Sequence, residues 1–464
     1  MLTLLRFRLA VIAAKLLVRL CRVVGRGGSS LPGRAALALS PEVLRRIAES
    51  CPGGAVLVTG TNGKTTTAAM IAGMLRRAGH RVIHNATGAN LIYGIASAYL
   101  QDCDLRGRPR GDTGVLEVDE AAMPEAVRQL PVRAVVVTNF FRDQLDRFGE
   151  LDHAVAKVGQ GLSLLGDGGR ALLNADDPLA AGLAGMARSV VYYGLEIEAD
   201  GLERHPVREI RYCSRCEVPL AYEMVSYGHL GHWSCRECGG GRPPTEVSVL
   251  SSVPGSMDGD ALLTVRTPWG VRQLRLPLPG IYNVYNALAA VACAEVLDLP
   301  WAAVEEGLRT FTASFGRMER LTFEGRQLLL VLVKNPAGFN EVIRTLLAQG
   351  DARDLLIAVN NRYADGTDVS WIWDVDFERL VAATGSLRVT VAGTRAEAMA
   401  VRLKYAGLDQ TGLIVHPELG EALERAVART PPGGRLYILP TYTAMLGIRE
   451  TLRRHGRVGH YWEG

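Results

Sequence analysis

The chain has 464 residues, 48% of them hydrophobic and 22% charged, with a formal net charge of +4. These values describe a globular protein long enough for two or three domains, and they exclude a disordered or collagen-like chain. Eight cysteines over this length are too few for a disulfide scaffold and imply a reducing compartment, and so weak a charge gives no ground for a nucleic-acid partner.

Residues 2–24 are apolar but carry Arg6, Arg8, Lys15, Arg19 and Arg22. These charges interrupt any run long enough to span a bilayer, and no cleavage site marks a signal peptide. The segment reads as an amphipathic helix packed on the first domain, with a basic helix lying on a membrane surface as the alternative. Residues 25–33, GRGGSSLPG, read as a turn-rich linker. A short helix is expected over Pro41–Glu49, with Ser40 as its cap and Pro41 at the first helical position.

Residues 55–67, AVLVTGTNGKTTT, carry the strongest signal in the chain. Ala55–Val58 form a buried strand, Gly60 and Gly63 bracket a tight turn, and a helix covers Ala68–Ala78. The loop Gly60-Thr61-Asn62-Gly63-Lys64-Thr65-Thr66 is a phosphate cradle. Glycines let backbone N–H groups approach phosphate oxygens, and a helix N-terminus favours the anion. Lys64 is expected on the β/γ-phosphates of ATP and Thr65 on Mg²⁺. The loop is shorter than the common G-x-x-x-x-G-K pattern, which would need glycine where Val58 stands.

Further strands are predicted over 114–118, 134–138 and 171–173, alternating with helices, which argues for a mostly parallel sheet. Acidic residues follow the strands, where such sheets bind ligands. Glu117 is the expected second Mg²⁺ ligand. Residues 211–241 interrupt this pattern. Cys213-x-x-Cys216 and Cys235-x-x-Cys238, eighteen residues apart, fit an inserted Cys₄ zinc ribbon whose four thiolates complete a structural site without His229 or His232.

A helix rich in alanine opens at Tyr282-Asn283-Val284-Tyr285-Asn286. Asn283 and Asn286 share a face, for contact with the nucleotide base or, for Asn283, for capping. A second α/β block begins near residue 320, with strands at 355–359, 389–391 and 436–439. The acidic, aromatic loop 360–376 follows the first of these, a placement that favours function.

GTNGKTT, the Glu117 strand, TNFFRDQLDRFGE, LLNADDP, YNVYNALAA and GRMER together resemble the Mur ligase family. The cysteine insertion, KNPAGFNE and NNRYADGTDVSWIWDVDFE narrow the resemblance to its amidating, ligase-like subunits. The resemblance implies an α/β protein in three parts. These are an N-terminal helix and linker (1–37), an ATP-binding central domain carrying the ribbon (38–318), and a C-terminal α/β domain (319–464).

It also implies an activity: ATP phosphorylates the α-carboxylate of D-glutamate in the lipid II stem peptide, and ammonia attacks to give D-isoglutamine. Ammonia would come from a class-I glutaminase subunit of GatD type in a heterodimer, with lipid II met at the inner face of the membrane by a cytoplasmic protein. Cys21, Cys51, Cys103 and Cys293 lack a nucleophile-elbow setting, in keeping with glutamine hydrolysis elsewhere. The resemblance adds Arg317 to the nucleotide-binding residues and assigns Asp368 to the partner's catalytic histidine, with Asp365, Asp374 and Asp376 as rivals. Trp371 and Trp373 are residue types favoured at interfaces.

The sequence departs from the wider family at two places. Gln144 replaces a metal-binding histidine in Asp143-Gln144-Leu145-Asp146, and Val331–Pro336 replaces a D-x-A-H-N-P loop. The first puts a second metal site in doubt; the second, with the ribbon, weakens the alternative of a stand-alone amino-acid ligase of Mur or folylpolyglutamate type. Lys157 reads as a surface lysine rather than a carbamylated one. A nucleic-acid-binding ribbon protein is disfavoured by the lack of a basic cluster there, Arg236 standing beside Glu237.

Overall fold

The structure is a computed structural model that describes residues 2–23, 28–85, 88–142, 150–197, 210, 212–253, 259–312, 316–350 and 353–458. The chain divides into two compact units. The first comprises Met1–Phe141, Gly149–Pro277 and Ile281–Phe311, and the second Arg142–Phe148, Leu278–Gly280 and Thr312–Gly464.

The first unit opens with three helices, α1 (Leu2–Val23), α2 (Leu31–Leu39) and α3 (Val43–Ala48). An alternating series follows: β1 (Ala55–Thr59), α4 (Lys64–Arg77), β2 (Val82–His84), α5 (Ile92–Asp102), β3 (Thr113–Glu117) and α6 (Met123–Gln129). It continues with β4 (Val132–Val137), α7 (Glu150–Ser163), β5 (Arg170–Asn174), α8 (Pro178–Gly182) and β6 (Val190–Leu195). A hairpin, β7 (Ala221–Tyr227) and β8 (Leu230–Ser234), precedes β9 (Val247–Val253), β10 (Ala261–Thr267) and β11 (Gly270–Leu276). Helices α9 (Ile281–Val296) and α10 (Trp301–Arg309) close the unit.

The main sheet has the order β11-β10-β9-β6-β5-β4-β1-β3-β2. Neighbours from β6 to β2 pair in parallel, as does β6 with β9, whereas β9, β10 and β11 are antiparallel. All five residues of β1 and all five of β3 are buried. This explains why they read as unbroken apolar runs: a parallel strand covered on both faces has no polar side to alternate with. The order reverses around β1, so the C-terminal ends of β1, β3 and β4 surround the crevice where doubly wound sheets bind nucleotides.

The second unit holds β12 (Arg317–Phe323), β13 (Arg326–Val331), α11 (Pro336–Gln349), β14 (Asp354–Ala358), α12 (Phe377–Ala383), β15 (Arg388–Ala392) and α13 (Ala396–Tyr405). It ends with β16 (Leu413–Val415), α14 (Leu419–Arg429), β17 (Arg435–Pro440) and α15 (Tyr442–Arg454). Its sheet runs β12-β13-β17-β14-β15-β16, parallel except for the β12–β13 hairpin.

The N-terminal region departs from the sequence reading. Residues 31–33 of the expected linker belong to α2, because Pro32 sits in its first turn, where a missing N–H costs nothing. Pro41 lies in a turn, and α3 starts at Val43. Ser40 does not cap that helix with its side chain. It ends α2 by donating its backbone N–H to Ala36 O at 2.8 Å. Helix α1 packs as an amphipathic helix should, burying Phe7, Ala10, Val11 and Ala14 in the core formed around β1, β3 and α5.

Candidate active site and cysteine cluster

Gly60 and Gly63 adopt φ values of +117° and +87°, a region that disfavours side chains. Space forbids them as well. A Cβ on Gly60 would meet Thr138 Oγ1 at 2.4 Å, and one on Gly63 would meet Asn286 Oδ1 at 2.1 Å. The loop is pinned from β4. Thr138 Oγ1 donates to Asn62 O at 2.7 Å, Asn62 N–H donates to Asn139 Oδ1 at 2.9 Å, and Thr61 N–H donates to Asn139 O at 2.8 Å.

Lys64 begins α4 and is buried. Its Nζ donates to Gly60 O at 2.5 Å and pairs with Glu120 Oε1 at 3.0 Å. A cation held this way has its charge balanced locally and remains next to the loop's N–H groups. Thr65 Oγ1 donates to Glu117 Oε2 at 2.7 Å. Two oxygens at cis positions of an Mg²⁺ octahedron with bonds of roughly 2.1 Å lie about 3 Å apart. The hydroxyl and the carboxylate therefore fit a shared magnesium ion by donor type and by spacing. Asn85, after β2, fixes Glu117 by accepting its N–H at 2.9 Å and donating to its carbonyl at 2.8 Å. Nothing in the sequence marked Asn85, since a single asparagine after a short strand carries no pattern.

Asn283 and Asn286 are buried on α9. Asn286 Nδ2 donates to Asn283 Oδ1 at 3.3 Å, and Asn286 Oδ1 accepts from Thr67 Oγ1 at 3.4 Å. Asn286 thus touches the loop and the helix that follows it. Arg317 lies in the second unit at the start of β12. Asp143, Gln144, Leu145 and Asp146 lie outside the described residues, and Lys157 is half-buried on α7.

The four predicted cysteines converge. Their sulfurs all lie within 4.8 Å of one another, with Cys213 to Cys238 at 3.7 Å and Cys216 to Cys235 at 3.4 Å. A tetrahedral zinc with Zn–S bonds of roughly 2.3 Å has sulfurs about 3.8 Å apart, so the cluster fits that ion in number, type and spacing. The backbone N–H of Cys238, then the Cys216 thiol and the Glu237 N–H, hold the Cys235 thiol down, to about 6. His232 is engaged elsewhere, with Nε2 2.8 Å from Leu195 O, and His229 is buried 3.5 Å from Asp177.

The hairpin between the two cysteine pairs reaches the phosphate loop. Tyr227, at the end of β7, accepts from Asn62 Nδ2 at 3.3 Å and stacks on Phe141 at 4.9 Å. His229, in the turn, lies 4.6 Å from the same ring. Ser226 and Tyr285 hydroxyls are 2.5 Å apart, and Tyr285 donates to Asp176 Oδ2 at 2.7 Å. Arg242 Nε donates to Asp176 Oδ1 at 2.5 Å. Burial pushes the Asp176 carboxyl up, against the pull of Arg242, the Leu195 N–H and Tyr285.

In the loop after β14, the four acidic candidates separate by their bonds. Asp365 is buried and accepts from Thr443 N at 2.7 Å and Thr443 Oγ1 at 2.5 Å. Asp376 caps α12 through Arg379 N, and Asp374 is exposed. Asp368 is half-exposed and accepts from Ser370 N and Oγ at 2.7 and 2.9 Å, bonds that hold its carboxyl below the usual range. Trp371 corrects a sequence expectation. It is 1% exposed and packs 6.4 Å from Phe339, so it belongs to the core, while Trp373 is half-exposed against Tyr405.

The Mur ligase middle domain model matches residues 58–221, and the MurT ligase C-terminal model matches residues 332–445. The chain is 34% identical over 445 residues to the lipid II isoglutaminyl synthase (glutamine-hydrolyzing) subunit MurT of Staphylococcus aureus strain N315, covering 96% of this chain and 97% of that one. The chain belongs to the MurT family of Mur ligases. The MurT protein of Streptococcus pneumoniae is 33% identical over 430 residues, covering 92% and 93% of the two chains. The fold agrees with that of a pseudomurein peptide ligase type C from Methanothermus fervidus. Its TM-score is 0.65 at 23% identity, covering 90% of this chain and 81% of that one. It agrees also with Mycobacterium tuberculosis folylpolyglutamate synthase, with a TM-score of 0.61 at 17% identity over 95% and 98%. Like other members of the MurT family, the chain is an ATP-dependent ligase.

Proposed function

We propose that this chain is the ligase subunit of a glutamine-hydrolysing lipid II isoglutaminyl synthase. It would use ATP to turn the α-carboxylate of D-glutamate in the lipid II stem peptide into an acyl phosphate, which ammonia converts to D-isoglutamine. The carrying observation is the chain-long likeness to relatives named for that activity. Lys64 and the loop N–H groups bind the phosphates and balance charge on the transferred group. Thr65 and Glu117 hold Mg²⁺, which when bound neutralises phosphate charge. Asn286 keeps the loop in place beside Gly63. Asn283 adds to the nucleotide site, and Arg317 is a nucleotide-binding residue by family likeness. The four cysteines hold a structural zinc.

Ammonia reaches the reaction from a separate glutaminase subunit of GatD type. Among the cysteines of this chain, Cys51, Cys103 and Cys293 are buried, and burial pushes their thiols up, to about 11, 11 and 12. Such thiols stay protonated and do not act as nucleophiles at neutral pH. Asp368 is the acid offered to the partner's histidine on the strength of the family likeness; Asp365 is buried against Thr443, Asp376 caps α12, and the exposed Asp374 is the remaining rival. The peptidoglycan precursor is met at the inner face of the membrane. Assaying the bare chain with ATP and lipid II, once with ammonium and once with free amino acids, tests the reading. Incorporation of ammonia supports it, and incorporation of an amino acid instead would replace it with a stand-alone Mur or folylpolyglutamate-type ligase.

A further inference from the structure

Helix α1 has two apolar faces. Phe7, Ala10, Val11, Ala14 and Val18 are buried against the first unit. On the opposite side Leu5, Leu9, Ile12, Leu16, Leu20 and Val23 are exposed, the last three by 60%, 60% and 84%. Their spacings of four, three, four, four and three residues put them on one continuous line at the helical period. Monomeric proteins rarely expose a continuous apolar stripe, so this one is made to be covered. Exposed arginines border it: Arg8 and Arg19 on one side, Arg6 on the other, and Arg22 in the last turn. The helix contains no acidic residue. Lys15 is turned the other way and donates to Gln101 O at 3.0 Å, tethering α1 to the end of α5.

We infer that α1 is a membrane-surface helix whose outer face lies on an anionic lipid bilayer. The aliphatic stripe would enter the headgroup–acyl boundary while the four guanidinium groups pair with lipid phosphates. The charge pattern selects this occupant. An apolar line bordered by cations on both sides, with no carboxylate among them, complements an anionic surface. No described helix is long and apolar enough to cross a membrane, so the helix lies on the bilayer rather than in it. The inference deepens the proposed function and rests on it for its purpose, since it brings the ligase to a lipid-linked substrate. The binding itself follows from α1 alone.

The test is co-sedimentation of the full chain with vesicles of phosphatidylglycerol and phosphatidylcholine, and with vesicles of phosphatidylcholine alone. Binding is expected to the anionic vesicles, with an affinity that falls as salt rises. Leu9→Ser with Leu16→Ser, and separately Arg6→Gln with Arg8→Gln and Arg19→Gln, should each weaken it by about tenfold or more. These positions are exposed, so circular dichroism and thermal melting should match the unaltered chain. Amidation of detergent-solubilised lipid II with ammonium is measured in parallel and should be unchanged in both variants. Absence of binding to anionic vesicles, or stripe variants that bind them as well as the unaltered chain, would overturn the inference. So would a stripe that proves to hold the glutaminase or a second copy of the chain. Absence of ammonium-driven amidation of detergent-solubilised lipid II by the unaltered chain would count against the ligase reading and leave the vesicle result to stand by itself.

Discussion

The side-chain amide of Asn62, in the phosphate loop, donates to the hydroxyl of Tyr227, at the end of the hairpin that the cysteine cluster anchors, across 3.3 Å. The two residues are 165 positions apart, and the bond ties the hairpin of the insertion to the glycine loop. Gly228 and His229, in the turn of the same hairpin, press on Phe141, and a Cβ on Gly228 would sit 2.5 Å from that ring.

Tyr227→Phe should therefore weaken ATP binding without unfolding the insertion. A single neutral hydrogen bond contributes about 1 kcal/mol, so the KM for ATP is expected to rise about fivefold while kcat changes little. Steady-state titration with ATP checks this. An unchanged KM would mean that the hairpin rests on the loop without supporting it.

Cys213→Ser or Cys235→Ser should remove a bound zinc ion and loosen the hairpin, because a structural metal contributes directly to folding. Elemental analysis of protein purified without chelator, with limited proteolysis across residues 211–241, reports both effects. One zinc per chain is expected before substitution. Its absence would assign the cluster another role.

Much of this site was legible in the sequence, and the reason is physical. The loop's glycines, Lys64, Thr65 and Glu117 act within short segments whose geometry is local, as do the two cysteine pairs. Asn85, Thr138 and the Ser226–Tyr285–Asp176–Arg242 network act across the fold, and each is a polar residue with no pattern around it. The Pro32 turn of α2 was hidden by its glycine- and serine-rich surroundings. Trp371 is of a type favoured at interfaces, and composition alone does not separate a buried tryptophan from an exposed one. The exposed stripe on α1 was visible as periodicity, but which apolar face meets the core required the packing.

Glu341, on α11, offers a pH prediction. It is buried, and burial pushes its carboxyl up, to about 7, with Arg344 pulling the other way. The folded state then holds the proton more tightly than the unfolded state. The stability this confers is complete below the ordinary glutamate value of 4.5 and is lost as pH rises through about 7. Glu341→Gln, which keeps the neutral shape, should flatten that loss, which is on the order of 2 kcal/mol between about pH 5 and about pH 8. Thermal melts at both pH values compare the two proteins. Parallel pH curves would show that Glu341 does not carry the dependence.

Asp368→Asn separates the two half-reactions of the complex. If its carboxylate orients the partner's histidine, glutamine-dependent amidation should fall by about a hundredfold or more, with the complex intact and ammonium-driven amidation preserved. Size-exclusion chromatography and the two assays together decide it. An equal fall in both activities would place Asp368 in the ligase site or in the support of its own loop.

The most direct measurement is mass spectrometry of lipid II after incubation with the purified chain, ATP, Mg²⁺ and ammonium, set beside the Lys64→Ala and Glu117→Ala variants. Conversion of D-glutamate to D-isoglutamine is expected from the unaltered chain, with ADP and phosphate released in equal amounts. Each variant should lose about a hundredfold or more in rate while its melting curve stays cooperative. Near-normal conversion by either variant, or no conversion by the unaltered chain, would contradict the account.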